Sequence, residues 1–384
     1  MNDLSIAQDN QNDSYHQHIA KILNLGLSVK LAFVDIDNTL TGDGSGTGDP
    51  QLIGRVKNLL NSQGYLMVVI TSRTAEMMIS EPLYHLSRRR HSFSRPPPQF
   101  VNIKTGQISH DPRQVEPAGI LDSEVIIAST GSSMLLKQKD NSYRSVDHYF
   151  MNNLPSPPIW RNNVRQFLQP LLAQSDVVWL SPLESEFNYQ QKITNIFPPD
   201  YRIQLYFASQ EAKHRFKLAF ELAKKNQVDP IILSLCFTDD SNPLTNIFTG
   251  YLTPTNGKIT AVEFFAKLIQ TDAKININQL QILLIGDSWP DLQMGFYANT
   301  PAAKTTFLLV GGSRLTKFLL KNAVTDFAGE DLSDIKNQLQ PLGKRGCFKF
   351  TRYQQTRSVV IGDLAFPGKV GPESIVSFLE SQLL

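Results

Sequence analysis

The stretch LAFVDIDNTLTG, residues 31–42, opens with four apolar residues and then places two carboxylates, Asp35 and Asp37, one residue apart. Short apolar runs of this kind are typical of strands buried inside a parallel sheet. Because side chains alternate along a strand, both carboxylates should lie on one side if the extended geometry continues past Val34. Two acids in one small space strongly raise the pKa of one of them, so a shared proton or a metal ion is required.

Four further apolar runs predict the rest of a parallel sheet. They are short and rich in Val, Ile and Leu, as strands buried on both faces should be. With residues 30–35 as the first strand, they cover residues 65–71, 123–130, 281–287 and 305–311. The segment QLIGRVKNLLNSQG, residues 51–64, has helical spacing and ends at a glycine, which completes a βαβ unit. The predicted fold class is therefore α/β, with a Rossmann-like parallel-sheet core.

The middle of the chain predicts a different architecture. Helical patterns at residues 160–174 and 211–225 alternate with strand patterns at 177–181, 201–208, 231–237 and 246–252. Strand pairs mixed with two helices indicate an inserted α+β domain. The predicted organisation is a polar lead at 1–29, a first core part at 30–133, the insertion at 134–256, and a second core part with a C-terminal elaboration at 257–384, which ends in a helix.

Composition narrows the function classes. The 384 residues and 41% hydrophobic content suffice for two domains with sizeable cores. Lys plus Arg, 37, nearly balances Asp plus Glu, 35, so neither nucleic acid nor an anionic membrane is expected as an obligatory partner. The two cysteines lack CxxC or histidine-rich neighbours, and we find neither a signal-peptide pattern nor an apolar run of about 18 residues. We expect a cytoplasmic protein without a membrane span.

One segment, residues 79–117, is basic and rich in proline, with SRRRHSFSRPPPQF at its centre. It shows no regular periodicity, which favours a solvated loop. The alternative is a docking loop for an anionic or protein partner.

A second pair of acids follows another apolar strand about 250 residues later. The stretch ILLIGDSWPDLQM places Asp287 and Asp291 just after the strand predicted at 281–287. In an open parallel sheet, ligands bind beyond the carboxyl ends of the strands. Three or four carboxylates gathered there form an oxygen-rich site for a hard divalent cation, and Mg²⁺ is the natural occupant.

Phosphate-binding groups complete this predicted edge. The strand at 65–71 ends in Thr71, Ser72 and Arg73, and hydroxyls with turn amides bind phosphate. Lys258, just before a helical run, could hold a phosphoryl oxygen and a carboxylate together. The rival cations Lys213 and Lys217 fall in an amphipathic helix, where we expect a solvated face.

These segments resemble, in order and spacing, the four motifs of the haloacid dehalogenase (HAD) superfamily. DIDNTL at 35–40 is similar to the DxDxT motif, ITSR at 70–73 to the second motif, Lys258 to the third, and GDSWPD at 286–291 to GDxxxD. The insertion resembles the type IIB α+β cap of the sucrose-phosphate phosphatase and Cof-like branch. The resemblance covers most of residues 30–312.

The resemblance implies a Mg²⁺-dependent phosphatase. A large cap that closes over the site should exclude bulky substrates, so we expect a small phosphorylated metabolite, with a sugar phosphate as the leading candidate. Asp35 would be the nucleophile that forms an aspartyl-phosphate, and Asp37 the general acid and then base. Thr71, helped by the Ser72 amide, would hold the transferring phosphoryl group while Lys258 offsets its charge.

The resemblance also implies the metal ligands. Mg²⁺ would be held by the Asp35 carboxylate, the Asp37 backbone carbonyl and Asp287. Asp291 would lie in the metal shell or orient Lys258.

Two departures from the branch affect the phosphate pocket. Trp289 and Pro290 stand where the branch commonly has Gly-Asn, and Ser72 replaces the glycine of Thr-Gly-Arg. No charged group is lost, so we expect the chemistry to be retained, with effects on pocket shape and rate. The alternatives are a phosphomutase, a phosphotyrosine or protein phosphatase, and a catalytically weak ligand-binding protein of the same fold.

Overall fold

The computed structural model describes most of the predicted elements. It covers residues 30–41, 49–73, 100–101, 108–109, 123–137, 143–146, 154–173, 177–180, 201–239, 248–271, 280–297, 304–313, 315–316, 339–352 and 355–381. The predicted lead at 1–29 and most of the segment 79–117 lie outside these residues.

Sixteen strands and eight helices are described. The strands are β1 (Lys30–Val34), β2 (Tyr65–Ile70), β3 (Phe100–Val101), β4 (Ile108–Ser109), β5 (Val125–Ala128), β6 (Ser133–Lys137), β7 (Tyr143–Val146), β8 (Val177–Leu180), β9 (Ile203–Phe207), β10 (Cys236–Asp239), β11 (Phe248–Thr253), β12 (Gln281–Gly286), β13 (Lys304–Leu309), β14 (Leu339–Pro341), β15 (Cys347–Arg352) and β16 (Gln355–Ile361). The helices are α1 (Pro50–Ser62), α2 (Pro157–Ala173), α3 (Gln210–Lys225), α4 (Pro230–Leu233), α5 (Ile259–Thr271), α6 (Trp289–Tyr297), α7 (Gly362–Ala365) and α8 (Pro372–Glu380).

The five predicted core strands form the centre of one large sheet, in the order β13, β12, β1, β2, β5, and all pair in parallel. Residues Leu31 to Val34 of β1 are fully buried. Alternate residues of β1 face two different cores: Phe33 packs with α5 and α6, and Val34 packs with α1 and α8. A parallel sheet covered by helices on both faces confirms the predicted α/β fold class.

The large sheet extends beyond the predicted core on both sides. β6 pairs antiparallel with β5, and β7 with β6, so the sheet continues past residue 134, where the insertion was expected to begin. The tight turn at Ser129–Gly131 reverses the chain and makes this pairing available. On the other side β16, β15 and β14 follow β13, so the C-terminal elaboration is part of the same sheet. The division into domains stays a prediction.

The insertion has its own antiparallel sheet, in the order β10, β11, β9, β8. Helices α2 and α3 share a hydrophobic core with it that includes Trp160, Leu205 and Phe216. The strand predicted at 231–237 is wrong over its first half, where α4 forms instead. Pro230 starts this helix, and the Asp229 carboxylate accepts a hydrogen bond from the Ile231 amide at 2.9 Å.

The expectation for Lys213 is also wrong, because its side chain is only 3% exposed. Lys213, Phe216 and Phe220 are spaced three and four residues apart on α3 and share its buried face. Lys217, by contrast, is half-buried.

Within the segment 79–117, β3 and β4 form a two-residue antiparallel pair. A membrane-crossing helix is absent from the described part of the chain, since none of its helices combines the necessary length with the necessary hydrophobicity.

Candidate active site

Asp35 continues the hydrogen-bond pattern of strand β1 by one residue. The Asp35 amide donates to the Ile285 carbonyl of β12 at 2.9 Å, and this bond continues the ladder past the end of β1. The chain then turns sharply, and the Thr41 amide closes the turn on the Ile36 carbonyl at 3.1 Å. Asn38 sits in this turn at φ +58°, a left-handed conformation that asparagine tolerates. Asp35 is thereby fixed at the carboxyl edge of the sheet.

Lys258 contacts two of the predicted carboxylates. Its Nζ lies 2.8 Å from Asp35 Oδ1 and 2.6 Å from Asp291 Oδ1. Lys258 is buried, at 4% exposure, and so are both carboxylates. Three residues that are far apart in the sequence therefore form one buried, charge-assisted cluster.

Asp291 is held from its other oxygen as well. Its Oδ2 accepts hydrogen bonds from Ser288 Oγ at 2.6 Å and from the Ser288 amide at 3.1 Å. The Asp287 amide reaches the same oxygen at 3.3 Å. Gly286 is required here, because a Cβ at this position would lie 2.3 Å from the Asp291 Cβ. The turn after β12 thus aims the Asp291 carboxylate at Lys258.

Asp35, Asp287 and Asp291 each offer one carboxylate oxygen, and these oxygens lie within 4.8 Å of one another. Burial and the charge of Asp291 raise the pKa of Asp35 well above its ordinary value, although Lys258 opposes the shift. Burial alone would lower the pKa of Lys258, but the charges of Asp291 and Asp35 outweigh it and raise that pKa.

This cluster fits a divalent cation. When all are ionised, its three carboxylates and one ammonium leave two net negative charges, which one such ion would offset. Its donors are hard carboxylate oxygens, the ligand type that Mg²⁺ prefers.

The Asp37 carboxylate lies outside this group and binds Arg73. Arg73 Nε donates to Asp37 Oδ2 at 3.0 Å, and Nη2 donates to Oδ1 at 2.7 Å, which makes a bidentate pair. The Asp37 side chain is 43% exposed, whereas Arg73 is buried. The predicted contact between the Asp37 backbone carbonyl and a metal stays a prediction.

The predicted phosphate-binding residues lie at the end of β2. The buried Thr71 donates its amide to the Ile127 carbonyl at 2.9 Å, and its hydroxyl accepts from the Arg73 amide at 3.1 Å. The Ser72 carbonyl accepts a hydrogen bond from Arg202 Nη1 of the insertion. The roles of Thr71 and Ser72 toward phosphate stay predictions.

A tight backbone contact supports the Lys258 loop. Ser129, Thr130 and Gly131 all have positive φ, and a Cβ on Gly131 would lie 2.1 Å from the Gly257 carbonyl oxygen. The turn after β5 therefore packs directly against the residue that precedes Lys258.

Of the predicted site residues, the structure brings Asp35, Lys258, Asp287 and Asp291 together, and their roles stay predictions. The structure also adds two residues that the sequence analysis missed. Ser288 lies inside the fourth motif, where a hydroxyl next to two acids could have indicated its role. Arg202 lies 130 residues from its partner Ser72, and no local pattern indicates it.

No family model matches the sequence, and no curated protein matches it. The structure is similar to a phosphatase of the haloalkanoate (HAD) superfamily from Bacteroides thetaiotaomicron, with 14% identity, a TM-score of 0.37, and coverage of 74% of this chain and 85% of that one. A haloacid dehalogenase-like hydrolase from B. subtilis gives 14% identity, a TM-score of 0.40, and coverage of 77% and 94%. Trehalose-6-phosphate phosphatase from Aspergillus fumigatus gives 9% identity, a TM-score of 0.38, and coverage of 78% and 89%. Similarity at this level assigns no function to the chain, which has to be inferred from its own site.

Proposed function

We propose that the protein is a Mg²⁺-dependent phosphatase of the haloacid dehalogenase type, which hydrolyses a small phosphomonoester through an aspartyl-phosphate. One observation carries the proposal: the Asp35 carboxylate contacts Lys258 at 2.8 Å and shares a buried group with Asp287 and Asp291. Three separate segments meet there, at the carboxyl edge of the parallel sheet, where α/β folds bind ligands.

The metal would be held by Asp35 and Asp287, with the Asp291 carboxylate beside them and tied to Lys258 and Ser288. When bound, Mg²⁺ supplies positive charge that favours the ionised form of Asp35 and offsets the charge of a phosphoryl group.

In the first step, a carboxylate oxygen of Asp35 attacks phosphorus, a new P–O bond forms, and the bond to the ester oxygen breaks. Asp37 gives a proton to the departing oxygen. In the second step, Asp37 takes a proton from water as the water attacks phosphorus, inorganic phosphate leaves, and the Asp35 carboxylate is restored.

The remaining residues position groups and stabilise charge. Lys258 offsets the charge that develops on the phosphoryl oxygens, and the Thr71 hydroxyl donates to one of them. Arg73 holds the Asp37 carboxylate through two parallel hydrogen bonds, which favour its ionised form and fix its direction for the base role in the second step.

We further propose that the substrate is a small sugar phosphate. Arg202 of the insertion reaches the Ser72 carbonyl, which brings the insertion to the edge of the site. An insertion in contact with the phosphate-binding turn would restrict access by bulky substrates.

The test is a screen of purified protein against a panel of phosphomonoesters, with release of inorganic phosphate as the readout. We expect Mg²⁺-dependent turnover that EDTA abolishes and that Asp35→Asn lowers by at least about 10³-fold. An inactive wild type across sugar, nucleotide and phosphopeptide panels would contradict the proposal. Formation of a phosphate isomer without released phosphate would instead identify a mutase.

A further inference from the structure

Arg202 is a buried cation next to the phosphate-binding turn, and it has no carboxylate partner among the residues that the structure describes. It is 5% exposed, and its Nη1 donates to the Ser72 carbonyl. Ser72 lies between Thr71 and Arg73, which are both residues of the candidate site. The insertion therefore places a guanidinium at the edge of the core site.

The contacts that Arg202 makes with other described residues do not compensate its charge. Its guanidinium carbon lies 4.7 Å from the centre of the Tyr251 ring, and this cation–π contact neutralises no charge. Its Nε is buried and has no hydrogen-bond partner in the described part of the chain. Two buried cations of the core site are matched by acids: Lys258 by Asp35 and Asp291, and Arg73 by Asp37.

Burying a guanidinium with an unpaired N–H group costs free energy unless an anion pairs with its charge and accepts a hydrogen bond from that group. Oxyanions suit the planar guanidinium best, because carboxylates and phosphates accept two parallel hydrogen bonds from the N–H groups of arginine. The backbone of Arg202 is itself fixed, since Arg161 Nη2 donates to the Arg202 carbonyl at 2.8 Å. The group is therefore prepared in advance for a ligand that carries negative charge.

We propose that Arg202 is a specificity-determining residue that binds a second anionic group of the substrate, distinct from the phosphoryl group that is transferred. This inference rests on the proposed phosphatase function and narrows its substrate class to phosphomonoesters with an additional carboxylate or phosphate. The transferred group would bind near Lys258 and the acidic cluster, while the second anion would bind Arg202 from the side of the insertion.

The test compares three probes that share a sugar phosphate. Glucose 6-phosphate carries one anionic group, 6-phosphogluconate adds a carboxylate, and glucose 1,6-bisphosphate adds a second phosphate. We expect the wild type to prefer at least one of the two doubly anionic probes by about 10- to 100-fold in kcat/KM, the range for hydrogen bonds to a charged group. Which of the two is preferred identifies the anion.

The variants are Arg202→Met and Arg202→Lys. Arg202→Met should lower kcat/KM for the preferred doubly anionic probe by about 10- to 100-fold more than for glucose 6-phosphate. Arg202→Lys, which keeps the charge, should retain part of the preference. Equal kcat/KM values for all three probes in the wild type would overturn the proposal. An equal loss for all three in Arg202→Met would do so too, because it would show that Arg202 only holds the insertion against the core.

The same probes separate this inference from the proposed phosphatase function. If the wild type hydrolyses none of them, calorimetric titration of wild type and Arg202→Met measures binding alone. Tighter binding of a doubly anionic probe that depends on Arg202 supports the inference even without turnover, and equal affinities overturn it.

Discussion

Lys258→Met tests whether the ammonium holds the acidic cluster together. Methionine is close to lysine in length but carries no charge, so the substitution leaves the carboxylates of Asp35 and Asp291 buried without the cation that now lies 2.8 and 2.6 Å away. Removing one partner of a buried ion pair costs about 3–5 kcal/mol. We therefore expect Lys258→Met to lower the free energy of unfolding by this amount at pH 8, in the presence of EDTA to remove divalent cations.

The loss should depend on pH. The pKa of Asp35 is already raised by burial and by Asp291, and Lys258 is the group that opposes this shift. Without Lys258, Asp35 binds a proton more readily in the folded state, and this proton relieves the repulsion between Asp35 and Asp291. The free energy of unfolding of the variant should therefore fall more steeply than that of the wild type as pH rises. In the wild type, Lys258 is charged from pH 5 to pH 8 both in the folded state, where its pKa is raised, and in the unfolded state, where it has the ordinary pKa of lysine. Its own titration therefore does not change the stability over this range. We expect the loss at pH 5 to be smaller by about 1–2 kcal/mol.

The assay is urea unfolding followed by fluorescence at pH 5 and pH 8, where the loss shifts the midpoint at pH 8 by about 1 M or more. Lys369→Met is the matched control, because Lys369 forms an exposed pair with Glu373 at 3.6 Å. An exposed pair of this kind contributes only about 0.2–0.5 kcal/mol. A loss below about 1 kcal/mol in Lys258→Met at pH 8, or the same loss at both pH values, would refute the reasoning.

Three further substitutions probe this cluster and its surroundings. Gly131→Ala should cost about 2–4 kcal/mol of stability in urea unfolding and lower kcat/KM, because its Cβ would lie 2.1 Å from the Gly257 carbonyl at a φ of +92°; an unchanged midpoint would contradict this. Ser288→Ala should cost about 1.5–3 kcal/mol, since it removes a 2.6 Å hydrogen bond to the Asp291 carboxylate; a thermal scan showing wild-type stability would exclude this role. In metal-free wild type, the raised pKa of Asp35 means that the folded state binds one more proton than the unfolded state, so stability falls between pH 5 and pH 8. Asp35→Asn removes this proton and should reduce the fall by up to about 1.4 kcal/mol per pH unit. Equal pH dependence of stability in urea titrations of the two proteins would count against it.

The centre of the sheet could be predicted from the sequence because its strands are buried on both faces. Such strands are continuous apolar runs, and the acids that follow them mark where they end. The runs at 30–35 and 281–287 therefore located both Asp35 and Asp287. Parallel pairing then placed these residues at one edge of the sheet.

The contacts that depend on the insertion could not be predicted. The apolar pattern at 231–237 is compatible with a strand or with a helix. The proline at the start of α4 and the aspartate that caps it favour the helix. Arg202 reaches Ser72 only through the fold of the whole insertion, and the burial of Lys213 depends on which face of α3 packs. Local sequence patterns contain neither kind of information.

Identification of the reaction intermediate tests most directly whether Asp35 forms an aspartyl-phosphate. The protein is mixed with Mg²⁺ and a substrate from the phosphatase screen, quenched, and treated with borohydride, which reduces an acyl phosphate to an alcohol. Peptide mass spectrometry then reads residue 35. We predict homoserine at position 35 only when substrate and Mg²⁺ are both present. An unmodified Asp35 under turnover conditions, or reduction at another carboxylate, would contradict the role of Asp35 as nucleophile.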